Sequence, residues 1–146
     1  MQILIYGKQY KDKDQPYVQA LLDALYAEGV TVYVYAPYLR DIEDKVQFPG
    51  PYAAFDDYRD FRVHRIDFVI VLGGDGTMLN AVTLIRDAGV PMLGINLGRM
   101  GFLSSIEKSH ILESIQKLKR GQYTLHDRAM LYLESHPELF GDIPFA

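Results

Sequence analysis

Short apolar blocks recur along the chain, separated by stretches in which apolar residues fall at helical spacing. Gln2 to Tyr6, Val30 to Tyr35, Phe68 to Leu72 and Pro91 to Ile95 are the blocks. Their length and their β-branched residues fit strands covered on both faces of a parallel sheet. Between them, Pro16 to Glu28 sets Val18, Leu21, Leu22 and Leu25 on one stripe. Pro16 suits a first helical turn and Gly29 a helix end. Met78 to Arg86 carries Leu79, Val82 and Ile85, and Asp87-Ala88-Gly89 ends it. Lys108 to Arg120 turns Ile111, Leu112, Ile115 and Leu118 inward and stops at Gly121. Strands alternating with helices predict an α/β domain with a doubly wound parallel sheet and right-handed crossovers.

Elsewhere the pattern is weaker. Ala36 to Ile42 reads as a short helix introduced by Pro37. From Glu43 to Arg65 the periodicity fails: Pro49-Gly50-Pro51 forces a turn, and Tyr52, Phe55, Tyr58 and Phe61 are scattered aromatics. A short helix over Asp56 to Phe61 is expected, with the aromatics packed against the sheet edge rather than forming a base-stacking platform. Asn96 to Ser105 reads as a loop. Tyr123 to Glu134 alternates imperfectly and reads as a further strand, and Ser135 to Ala146 ends without an element.

Composition narrows the class. The 146 residues are 49% hydrophobic and 23% charged, ordinary for one globular domain with a sizeable core. A net charge of −4 gives no electrostatic case for nucleic acid or an anionic membrane. No apolar run reaches the length of a membrane span. With no cysteine, thiol nucleophiles, disulfides and cysteine-ligated zinc are excluded. His64, His110, His126 and His136 show no ligand spacing and read as surface or capping residues.

The chemistry concentrates where the third block ends, at Gly73-Gly74-Asp75-Gly76-Thr77. A glycine turn between a strand and a helix lets a ligand approach the backbone, and the helix start favours a phosphate. Asp75 does not belong in a simple phosphate cradle, since its charge repels the ligand. It fits a loop that holds a metal ion or takes a proton from a nucleophile, hence phosphoryl transfer. The plainer reading is a tight turn in which Asp75 bonds local N–H groups and Thr77 caps the helix. Neither the G-x-x-x-x-G-K-[ST] nor the G-x-G-x-x-G phosphate loop is present. Lys8, just past the first strand, reads either as a phosphate contact or as an ordinary solvated lysine.

A second stretch, Gly94-Ile-Asn-Leu-Gly-Arg-Met-Gly-Phe-Leu-Ser104, follows the next apolar block. Its spaced glycines, Gly94, Gly98 and Gly101, imply a backbone in close contact with something. With both segments in view the chain resembles the NAD kinase family, which carries Gly-Gly-Asp-Gly-Thr at one strand end and Asn-x-Gly-x-x-Gly-Phe-Leu after the next. The first motif alone is shared with diacylglycerol kinases and, in near form, with phosphofructokinases. The resemblance runs from the first strand to the C-terminus and is weakest across 40–66.

The resemblance implies a Rossmann-like fold and transfer of the γ-phosphate of ATP, or of a polyphosphate donor, to the 2′-hydroxyl of the adenosine ribose of NAD. It implies a divalent ion, magnesium, whose ligands the sequence does not single out, and a cytoplasmic, homo-oligomeric full-length form. Asp75 matches the family's base. Gly73, Gly74, Gly76 and Thr77 would face the nucleotide, and Asn96 would orient the second loop or hold a hydroxyl. Phe102 matches the aromatic beside the dinucleotide, against core packing with Leu103. Arg128, in Arg128-Ala129-Met130-Leu131, would touch substrate or form a structural ion pair. A lipid or sugar kinase with the same first motif, or a nucleotide-binding module without activity, are the alternatives. The family places a mostly β domain after the α/β domain, opening with an Asn-Glu or Asn-Asp pair that is absent after Leu131. The expectation is therefore a nucleotide-binding domain over 1–122, the start of a second domain over 123–146, weak nucleotide affinity, no NAD phosphorylation by these residues alone, and a poorly ordered or partner-bound tail after about residue 122.

Overall fold

The computed structural model describes residues 1–99, 101–104 and 106–131. Six parallel strands form one sheet in the order β3-β2-β1-β4-β5-β6. They are β1 (Gln2–Gly7), β2 (Thr31–Tyr35), β3 (Tyr52–Phe55), β4 (Phe68–Leu72), β5 (Met92–Asn96) and β6 (Ile106–Glu107). The helices are α1 (Gln15–Ala27), α2 (Ala36–Ile42), α3 (Asp75–Ile85) and α4 (Ile111–Lys119).

The pleat of the central strands divides the core in two. Ile3 and Ile5 of β1 and Phe68, Ile70 and Leu72 of β4 point to one face, where they meet α1, α2 and α4. Leu4 and Tyr6 of β1 and Val69 and Val71 of β4 point to the other, where they meet Met78, Ala81, Leu84 and Ile85 of α3. All five residues of β4 are buried, as its unbroken apolar run requires. The strand order reverses between β1 and β4. In an open α/β sheet the crevice past the strand ends at such a switch is where ligands bind. The last paired residues there are Gly7 and Leu72, immediately before the glycine turn.

Parts of the chain differ from the pattern read in the sequence. Tyr52–Phe55 is an edge strand, though only Phe55 of it is buried. An edge strand with small exposed residues leaves little periodic trace. The expected helix over Asp56 to Phe61 is instead a 3-10 turn at Tyr58–Arg62, held by a capping box between Asp57 and Asp60. Of the strand expected over Tyr123 to Glu134, the described part, 123–131, is irregular and exposed, and 132–134 lie outside the described residues. Tyr123 nevertheless sets its ring edge-on to Phe68, with centroids 5.2 Å apart. The aromatics of 48–61 do gather at the β3 edge, where Phe48 meets Tyr52 at 4.0 Å and Phe55 meets Phe61 at 4.7 Å. No helix among the described residues is long and apolar enough to cross a membrane.

Candidate active site

Helix α3 starts earlier than its apolar spacing suggests, inside the glycine motif. Gly74 is its N-cap and Asp75 its first residue. Thr77 therefore lies in the first turn and does not cap. Gly73 has φ 149°, and a Cβ there would meet the Thr77 side chain, with its Cβ at 2.8 Å. Glycine at 73 is thus required by the turn itself.

The second loop, residues 97–104 between β5 and β6, folds over this turn. Asp75 is the joint. Its Oδ2 accepts the N–H of Phe102 at 2.8 Å, and its Oδ1 accepts those of Leu103 and Ser104 at 2.9 and 3.2 Å. These N–H groups, Phe102 first, hold the Asp75 carboxyl below its usual range, so it is ionised at neutral pH. Gly101 fits because it lacks a side chain: a Cβ there would stand 2.5 Å from the carboxylate carbon. Ser104 is fully buried and adds a second tie, its Oγ donating to the carbonyl of Gly73 at 3.0 Å. The amide of Gly73 donates in turn to the carbonyl of Ile95 in β5.

Asn96 orients the loop from its base. It is buried, its Oδ1 accepts the Gly98 amide at 2.8 Å, and its Nδ2 donates to the carbonyl of Arg99. Asn96 and Gly98 also border a cleft of about 240 Å³ with Tyr17, Glu107 and Lys108. Phe102 is 95% exposed at the tip of the loop. It is not core, so the alternative of packing with Leu103 does not hold.

Of the residues picked from the sequence, Gly73, Gly74, Asp75, Gly76, Thr77, Asn96 and Phe102 lie on two segments joined at one sheet edge. Arg128 is not brought in: it is exposed in the irregular segment after α4, with neither hydrogen bond nor ion pair among the described residues. Lys8 is exposed as well. Sequence reasoning missed Ser104 and the partnership of Gly101 with Asp75. The spaced glycines had signalled a close approach, but not that its object is the aspartate of the other motif.

Gly74 and Gly76 differ from their neighbours. A Cβ at either would meet nothing within 4 Å, and neither has positive φ. The fold does not demand glycine there. Open space beside bare backbone at a helix N-terminus is what a phosphate-bearing ligand needs. For a metal ion the fit is poor: among the described residues no three His, Asp or Glu side chains are grouped to hold one, and the Asp75 oxygens already accept N–H groups.

A family model for the ATP-NAD kinase N-terminal domain matches residues 3–123. The NAD kinase of Cytophaga hutchinsonii is 32% identical over 145 residues, which are 97% of this chain and 48% of that protein. The NAD kinase of Flavobacterium psychrophilum is 30% identical over 148 residues, 100% of this chain and 50% of that protein. Among solved structures, yeast NADH kinase complexed with NADH superposes with a TM-score of 0.71 at 22% identity, over 91% of this chain and 40% of that one. At that identity the likeness speaks for the fold. The chain spans about half the length of the curated relatives it matches. Its two glycine segments, joined at the switch edge of the sheet, fall within the matched residues, and the chain belongs to the ATP-NAD kinase family.

Proposed function

We propose that this chain supplies the nucleotide-binding half of an NAD kinase. The observation that carries the reading is the pair of glycines, Gly74 and Gly76, that flank an ionised Asp75 at a helix N-terminus and face open space for no reason of packing. In the reaction, the 2′-oxygen of the adenosine ribose of NAD bonds to the γ-phosphorus of ATP. The bond from that phosphorus to the β-phosphate oxygen breaks, ADP leaves, and the hydroxyl proton passes to Asp75. Of the two carboxylate oxygens, Oδ2 receives a single N–H and Oδ1 two, so Oδ2 has the lone pair free to take it. A positioned base of this kind contributes about 10²- to 10⁴-fold.

The backbone of 74–77 would lie along the phosphates, Phe102 would stack on the dinucleotide, and Asn96 would hold the second loop in register. Arg128 would reach substrate only from a segment carried by the second domain. Residues 1–122 would be the nucleotide-binding domain and 123–146 the lead into a mostly β domain that closes the site. A magnesium ion would be held chiefly by the phosphates, in keeping with its habit of few protein ligands. The full-length protein would be a cytoplasmic homo-oligomer.

The test has two arms. Calorimetric titration of the 146-residue chain with NAD is expected to give weak binding and no turnover. The protein extended through the second domain is expected to form NADP from NAD and ATP, and Asp75→Asn to cut its kcat by about 10²- to 10⁴-fold. Preference for a diacylglycerol or fructose 6-phosphate as acceptor, or near-wild-type turnover by Asp75→Asn, would overturn the reading.

A further inference from the structure

The three N–H groups of Phe102, Leu103 and Ser104 are consecutive and converge on one anion. Successive backbone N–H groups arranged in this way form a concavity that binds anions, whether or not the anion belongs to the protein. The anion there is the carboxylate of Asp75, at the first residue of an 11-residue helix whose positive end adds to the attraction. Gly101 leaves the carboxylate its room. The space beside Gly74 and Gly76, on either side of Asp75, is open. A base with its oxygens tied to N–H donors is a weakened base, because those bonds favour the ionised form. The arrangement thus lowers the basicity of a proton acceptor, and it does so with donors of a kind that bind anions in general.

We propose that the N–H groups of Phe102, Leu103 and Ser104 are a phosphate-binding nest for the incoming nucleotide, and that the Asp75 carboxylate occupies it as an internal stand-in until the nucleotide displaces it. The proposal rests on the reading of Asp75 as the base. A phosphoryl group carries more charge than a carboxylate and presents more oxygens, so it competes effectively for the three donors. Its arrival releases Asp75 from the N–H groups that depress its basicity. The exchange couples seating of the phosphates to activation of the base, and it places Phe102, at the head of the nest, against the same ligand.

Inorganic pyrophosphate is the probe. It is titrated into the 146-residue chain, its Asp75→Asn variant and its Asp75→Ala variant by calorimetry, with backbone amide shifts followed by NMR. The amides of Phe102, Leu103 and Ser104 are expected to shift saturably, and both variants to bind about tenfold more tightly than wild type, since the charged internal competitor is gone. The amide spectra also report that each variant is folded, and Asp75→Ala covers the case in which the asparagine amide itself fills the nest. Equal or weaker binding by the alanine variant, or shifts that bypass these three amides, would overturn the proposal. No turnover is involved. Absence of tightening in this chain, with NADP formation intact in the protein extended through the second domain, would remove the nest and leave the kinase reading, and tightening here without NADP formation by that extended protein would do the reverse.

Discussion

In the second loop, Gly101 is crowded: a Cβ would press against the Asp75 carboxylate. In the first turn, Gly74 and Gly76 look onto open space and have ordinary backbone angles. The two segments meet at the same sheet edge and look alike as sequence, both glycine-rich and both following a buried strand. Physically they are opposites. Glycine 101 is fixed by a contact inside the protein and belongs to the account of stability. Gly74 and Gly76 are fixed by nothing inside it, and a ligand is proposed there for that reason. Between them Asp75 belongs to both, as the anchor of one loop and the candidate base of the other.

Substitutions tell the crowded glycine from the open ones. The largest effect on the fold is expected at Gly101→Ala, where forcing a methyl against the carboxylate should cost about 1–3 kcal/mol and lower Tm by about 2–12 °C, read by thermal unfolding. Ser104→Ala removes a buried hydroxyl and leaves the Gly73 carbonyl without its donor. A loss of about 1 kcal/mol in a denaturant titration is expected. Phe102→Ala should leave Tm unchanged, because the ring is almost fully exposed, and weaken NAD binding in the extended protein by about 0.5–1.5 kcal/mol. A fall in Tm with unchanged affinity would reverse its assignment.

The smallest effect is a pH dependence. The folded Asp75 carboxyl lies below its ordinary value of 3.8. Its stabilisation is therefore complete above that value and is lost as the pH falls through the folded one. Asp57 behaves likewise: its bonds to Arg59 lower it to about 2. Acid unfolding curves of Asp75→Asn and Asp57→Asn should each show a shallower loss of Tm than wild type below about pH 4. An unchanged slope for Asp75→Asn would mean that its ties to 102–104 are not kept in solution.

Much of this was legible in the sequence where burial imposes a period. The runs Gln2 to Tyr6 and Phe68 to Leu72, and the stripe of α1, are patterned because each faces a core. The Tyr52–Phe55 strand was not legible, since three of its four residues are exposed. The irregular segment after Gln122 shows the converse: Tyr123 to Glu134 alternates imperfectly and suggests a strand, but pattern alone supplies no neighbour to pair with. At the site, the motifs named the two segments that the fold brings together. What they could not name was the partnership across 27 to 29 residues between Asp75 and the Phe102–Ser104 amides, because backbone donors have no residue-type signature. Gly101 and Ser104, which serve that partnership, were missed with it.

One variant separates a glycine kept for a ligand from a glycine kept for the fold at positions 74 and 76. The most direct measurement pairs thermal unfolding with calorimetric NAD titration on the extended protein carrying Gly76→Ala. A Tm that holds or rises is expected, since alanine gains up to about 1 kcal/mol over glycine within a helix, together with a clear loss of NAD affinity. A variant that unfolds early, or one that binds NAD as tightly as wild type, would contradict it.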